Sequence, residues 1–76
     1  MSKDELILDA TGLLCPLPVL KARKRLNGLS QGERLTVLAD DPAAIVDVPH
    51  YCAESGHILV SSDLEGDVQT YVIEKV

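Results

Sequence analysis

Two periodicities alternate along this chain of 76 residues. Leu6-Ile7-Leu8-Asp9-Ala10 is a short apolar run that ends before Gly12, which predicts a strand over residues 6–10. Val19-Leu20-Lys21-Ala22-Arg23-Lys24-Arg25-Leu26 has the mixed spacing of an amphipathic helix and stops at Asn27-Gly28, which predicts a helix over 16–26. From the turn-like Ser30-Gln31-Gly32 the chain enters Glu33-Arg34-Leu35-Thr36-Val37-Leu38-Ala39, a second strand. Asp40-Asp41-Pro42 opens a second helical region, with Asp41 as its cap and Ile45, Val48 and Cys52 on one stripe. Pro49 divides this region into a short turn at 42–46 and a helix at 48–55 capped by Asp47, with Gly56 closing it. The strands 57–63 and 68–75 follow, joined at Leu64-Glu65-Gly66-Asp67.

The order is β-α-β-α-β-β. A strand–helix–strand unit of this length implies parallel pairing through a right-handed crossover, and the terminal hairpin adds antiparallel strands. The expected fold is an α/β (α+β) two-layer sandwich, a four-stranded mixed sheet with two helices on one face and the other face free for association. Residues 1–76 make one domain, close to the size at which a single apolar core suffices without staples. Phe and Trp are absent, so Leu, Ile, Val and Ala must build that core, helped by Tyr51 and Tyr71.

A net charge of −5 argues against direct nucleic-acid binding. Four of the seven basic residues, Lys21, Arg23, Lys24 and Arg25, nevertheless lie on the first helix. They read either as a solvated face suited to the helix C-terminus or as a docking patch for an acidic partner protein. No apolar run approaches the roughly 18 residues of a membrane span, and Met1-Ser2-Lys3-Asp4-Glu5 lacks the pattern of a secretory leader. A cytoplasmic protein with reduced thiols is expected.

The position that changes the picture is Cys15, set between Gly12 and two prolines in Gly12-Leu13-Leu14-Cys15-Pro16-Leu17-Pro18. With Pro16 as the first helical residue, Cys15 is the N-cap at the positive end of the helix dipole. A thiolate is favoured there, although Pro16 and Pro18 remove two amide donors and leave Leu17 N–H as the main one. The expectation is a moderately acidified, exposed thiol. Cys52 reads as core, Asp40-Asp41 as caps, and no histidine stands near Cys15 in sequence. His50, Cys52, His57 and Cys15 match no zinc spacing, so neither a metal nor a cofactor is expected.

Leu8-Asp9-Ala10-x-Gly12-x-x-Cys15-Pro16-x-Pro18, with Asp40-Asp41-Pro42 and Asp47-x-Pro49 downstream, closely resembles the TusA/SirA family of small sulfur-carrier proteins. The likeness spans nearly the whole chain. It implies the same β-α-β-α-β-β sandwich. It also implies a carrier in which Cys15 takes sulfane sulfur as a persulfide from a cysteine desulfurase or rhodanese-like donor and passes it to an acceptor protein. Asp9, Gly12, Pro16, Leu17 and Pro18 would be the supporting motif. Acceptors associated with the family serve tRNA thiolation, molybdenum-cofactor maturation and sulfur oxidation; Leu17 departs from the acidic residue of the tRNA-thiolation members. As an enzyme, such a protein would be a sulfurtransferase dependent on partners. The competing reading is a regulatory or binding module whose cysteine senses redox state or mediates partner contact. An RNA-binding domain of similar topology is disfavoured by the acidic charge.

Overall fold

The computed structural model describes residues 6–76; the first five, read above for a leader pattern, lie outside the described residues. Six elements follow in the expected order: β1 (Ile7–Asp9), α1 (Leu17–Asn27), β2 (Arg34–Ala39), α2 (Ala44–Ser55), β3 (Ile58–Glu65) and β4 (Val68–Glu74). The sheet order is β1-β2-β4-β3. β1 pairs parallel with β2 (Leu8 opposite Val37), and β4 pairs antiparallel with both β2 (Val37 opposite Tyr71) and β3. The hairpin closes on Gly66-Asp67, since Glu65 faces Val68.

The sequence explains why β4, rather than β3, is central. Gln69, Tyr71 and Ile73 alternate onto the buried face, whereas β3 carries Ser61, Ser62 and Asp63 and is suited to a solvated edge. A register shift between Leu59 and Ser61 bends that edge strand. The core is one layer. Leu8, Leu35, Val37, Ala39, Tyr71 and Ile73 line the sheet, Ala22 and Leu26 come from α1, and Ala44, Val48 and Cys52 come from α2. Both helices bury positions four apart (Pro18, Ala22, Leu26; Ala44, Val48, Cys52), so each lays one narrow stripe on the sheet. The opposite sheet face is uncovered and mixed in character, with Thr36, Leu38, Thr70 and Val72 beside the Arg34–Glu74 ion pair at 3.1 Å.

Two details of the second helical region differ from expectation. Pro49 does not divide it: α2 runs unbroken from Ala44 to Ser55. The proline lacks the N–H that would reach Ile45, but burial of Val48 and Cys52 on either side of it holds the helix together. The buried stripe therefore starts at Ala44, and Ile45 is exposed. At the other end Gly56 adopts φ 83°, and its N–H bonds Cys52 O at 3.0 Å, a left-handed close that favours glycine.

Restoring the missing helical hydrogen bond should raise stability. Pro49→Ala is expected to increase the unfolding free energy by about 1–3 kcal/mol, measured by urea denaturation with an unchanged m-value.

Candidate functional site

The segment between β1 and α1 leaves the sheet after Ala10, whose N–H still bonds Leu38 O at 2.8 Å. Beyond it, side chains answer the backbone amides. Asp9 Oδ1 accepts from Thr11 N (3.0 Å) and Thr11 Oγ1 (2.6 Å), which lowers the Asp9 carboxyl below its usual range. Gly12 then turns at φ 80°, a conformation that favours glycine, and donates to Asp40 Oδ1 at 2.9 Å. Cys15 N–H donates to Asp41 Oδ2 at 2.6 Å. Asp40 and Asp41, at the end of β2, thus grip the loop that carries the cysteine.

Asp41 is not the helix cap expected from the sequence: α2 begins at Ala44 with Ala43 in the N-cap position and no side-chain cap, and Asp41 Oδ1 instead accepts from Ala43 N at 3.1 Å in the turn before the helix. Asp47 differs more. It lies in the first turn of α2 and is not the cap of a second helix; its Oδ2 accepts the hydrogen bond of Cys15 Sγ at 2.6 Å.

The helix start is displaced from the expected position by one residue. Pro16 occupies the N-cap position, α1 begins at Leu17, and Cys15 stands one residue outside. Leu17 N–H, expected to face the sulfur, bonds Leu14 O at 2.8 Å. The thiol is exposed, as expected, but it is not acidified. Its hydrogen bond to the Asp47 carboxylate pushes the Cys15 pKa above the ordinary thiol value; desolvation and the negative fields of Asp47 and Asp41 add to the rise.

Pro18 is buried under this corner, whereas Leu14, Leu17, Leu20 and Val46 are exposed, with Leu14 and Val46 about 70% accessible (71% and 70%). Leu14 and Leu17 flank Cys15 along the chain and Val46 precedes Asp47, so exposed apolar residues form a rim beside the acidic, thiol-bearing centre. Lys21, Arg23 and Lys24 are exposed further along α1, and Arg25 lies beside them in its last turn.

The other candidates lie elsewhere. Cys52 is in the core, and burial raises its thiol pKa. His50 pairs with Glu54 on the outer side of α2. His57 stacks near Tyr51, accepts from Val76 N at 3.3 Å, and is lowered by burial and by Lys75. Neither histidine lines the depression at Cys15, and the Cys15 thiol pairs with Asp47 instead.

Residues 6–75 match the family described as Sulfurtransferase TusA. The chain belongs to this family. Two relatives from Neisseria meningitidis, one of serogroup A and one of serogroup B, are described as candidate sulfur carrier proteins. Each is 45% identical over 67 residues, which is 88% of this chain and 90% of the relative. A crystal structure of a SirA-like protein from Desulfitobacterium hafniense superposes with a TM-score of 0.79 at 27% identity, covering 90% of this chain and 93% of that one.

One part of this TusA-family site escaped sequence reasoning altogether. Gln69 is a buried polar residue on β4; its Nε2 donates to Asp41 O at 2.9 Å and its Oε1 accepts from Tyr71 O–H at 2.6 Å. A continuous line of hydrogen bonds thus runs from the core tyrosine through Gln69 and Asp41 to the amide of Cys15. The only signal was a polar residue at an inward position of an alternating strand.

Gln69→Leu leaves the Tyr71 hydroxyl and one Asp41 carbonyl contact without a partner. The expected loss is about 1–3 kcal/mol by urea unfolding, with amide exchange at Cys15 accelerated roughly tenfold.

Proposed function

We propose that this protein carries sulfur as a persulfide on Cys15, receiving it from one protein and delivering it to another. The observation that carries the reading is an exposed thiol on a braced loop, flanked along the chain by exposed apolar residues, while the second thiol, Cys52, is buried in the core. A carrier needs this separation, because a neighbouring thiol would discharge the persulfide as a disulfide. Membership of the TusA family and the similarity to the Neisseria proteins support the same conclusion.

In the proposed step Cys15 attacks the outer sulfur of a donor persulfide. A bond forms between Cys15 Sγ and that sulfur, the donor's S–S bond breaks, and its electron pair leaves on the donor cysteine. The Cys15 proton ends on that leaving thiolate, so Cys15–SH and R–S–S⁻ become Cys15–S–S⁻ and R–SH. Delivery repeats the exchange with an acceptor thiol. A cysteine desulfurase and a rhodanese-like enzyme are the donor classes that fit, and the cytoplasm is the compartment in which both thiols stay reduced. No helix among the described residues is long and apolar enough to cross a membrane. The raised thiol pKa weighs against the redox-sensing alternative, since sensor cysteines are low-pKa thiols.

Incubation with a cysteine desulfurase and cysteine, or with a rhodanese and thiosulfate, should add one sulfur atom to the intact mass. Cys15→Ser should abolish the gain, and Cys52→Ser should keep it; absence of any gain with either donor refutes the reading.

Lys21, Arg23, Lys24 and Arg25 are proposed to steer an acidic donor surface toward the apolar rim. Reversing Lys21, Arg23 and Lys24 to Glu should slow loading several-fold at low salt and flatten its salt dependence. Unchanged rate and salt slope would leave these cations as a solvated face.

A further inference from the structure

The surroundings of Cys15 Sγ are sharply divided. Pro18 and Val19 of α1 and Ala44 of α2 line the small depression at Cys15 with apolar surface, and among the described residues the side-chain hydrogen-bond partner of Sγ is the Asp47 carboxylate at 2.6 Å. The charged groups bearing on the sulfur are Asp47 from α2 and Asp41 from the β2–α2 connection, both negative. The α1 residues lining this depression carry no charge, and the basic series begins at Lys21, further along the helix.

An ionised carboxylate can only accept, so the sulfur must be the donor and must carry its proton. Removing that proton would place two anions in contact, with Asp41 adding a further negative field. Nor is the contact a chance meeting of loose side chains. Asp47 is fixed in the first turn of α2, where its own N–H bonds Ala43 O at 2.9 Å, and the Cys15 backbone is pinned by Asp41. The helix N-terminus that favours a thiolate elsewhere is spent here on Pro16 and the Leu17–Leu14 turn.

We propose that Asp47 is a restraining residue for Cys15: its carboxylate holds the sulfur as a hydrogen-bond-donating thiol in the unloaded protein, so that attack begins only when this contact is released. The use of this restraint in sulfur transfer rests on the carrier reading; the restraint itself is a property of the free chain. It gives an exposed thiol a resting state that small electrophiles and oxidants meet slowly. It also assigns to the docked donor the task of drawing Sγ away from Asp47.

The test is the pH dependence of Cys15 alkylation by iodoacetamide, followed on the full chain by peptide mass. Asp47→Asn should move the midpoint of the rate profile down by about one pH unit or more, with alkylation near pH 7 roughly tenfold faster than wild type. Glu33→Gln removes an equal charge just before β2, at the other end of that strand from Asp40 and Asp41, and should leave the midpoint in place. Asp47→Ser serves as the second variant where Asn impairs folding, checked by circular dichroism. An unchanged or raised midpoint in the Asp47 variants overturns the proposal, as does an equal shift in Glu33→Gln. No sulfur is transferred in this assay. A shift in a protein that never loads sulfur therefore refutes the carrier reading alone, and loading without the shift refutes the restraint alone.

Discussion

The backbone amides of the β1–α1 loop cannot be answered by the sheet, and everything distinctive about this protein follows from how they are answered instead. Gly12 and Cys15 give their hydrogens to the carboxylates of Asp40 and Asp41, which emerge where β2 ends. Charge-assisted hydrogen bonds of this kind are roughly twice as strong as neutral ones. They join two connections far apart in sequence into a single corner, and the sulfur is displayed at its apex. That corner rests on the core through Asp41 O and the buried Gln69 amide.

The same carboxylates set the electrostatics. A helix start beside a cysteine ordinarily suggests an acidified thiol. Here the proton stays, because the nearest charges are negative and the nearest donors are committed within the turn. The exposed Leu14, Leu17, Leu20 and Val46 make this part of the molecule suited to meeting a protein surface. Exposure, rigidity and a quiet thiol are properties of a handle more than of an active centre.

The layered fold and nearly all element boundaries were legible because they depend on local periodicity. Alternation in Val68–Glu74 and the apolar positions of α1 are read directly from spacing. The site was legible only in its parts. Asp41, Pro42, Asp47 and Pro49 each carry a strong local meaning as caps and breakers, and that meaning hid their long-range role. Asp47 looked like a cap because Pro49 looked like a breaker; the burial of Val48 and Cys52 overrode both. The thiol's protonation depended on a contact 32 positions away, which no local rule supplies.

The placement of β4 between β2 and β3 bears on how the protein comes into being. The strand that supplies Gln69 comes after the other five described elements along the chain, yet it lies at the middle of the sheet and underneath the cysteine corner. The support of the Cys15 corner from Gln69 therefore requires β4 to be paired in the sheet. Only then do Tyr71, Gln69 and Asp41 link up, and the sulfur takes its final setting. A chain truncated within β4 would keep its cysteine motif intact and lose the support that makes the motif a site.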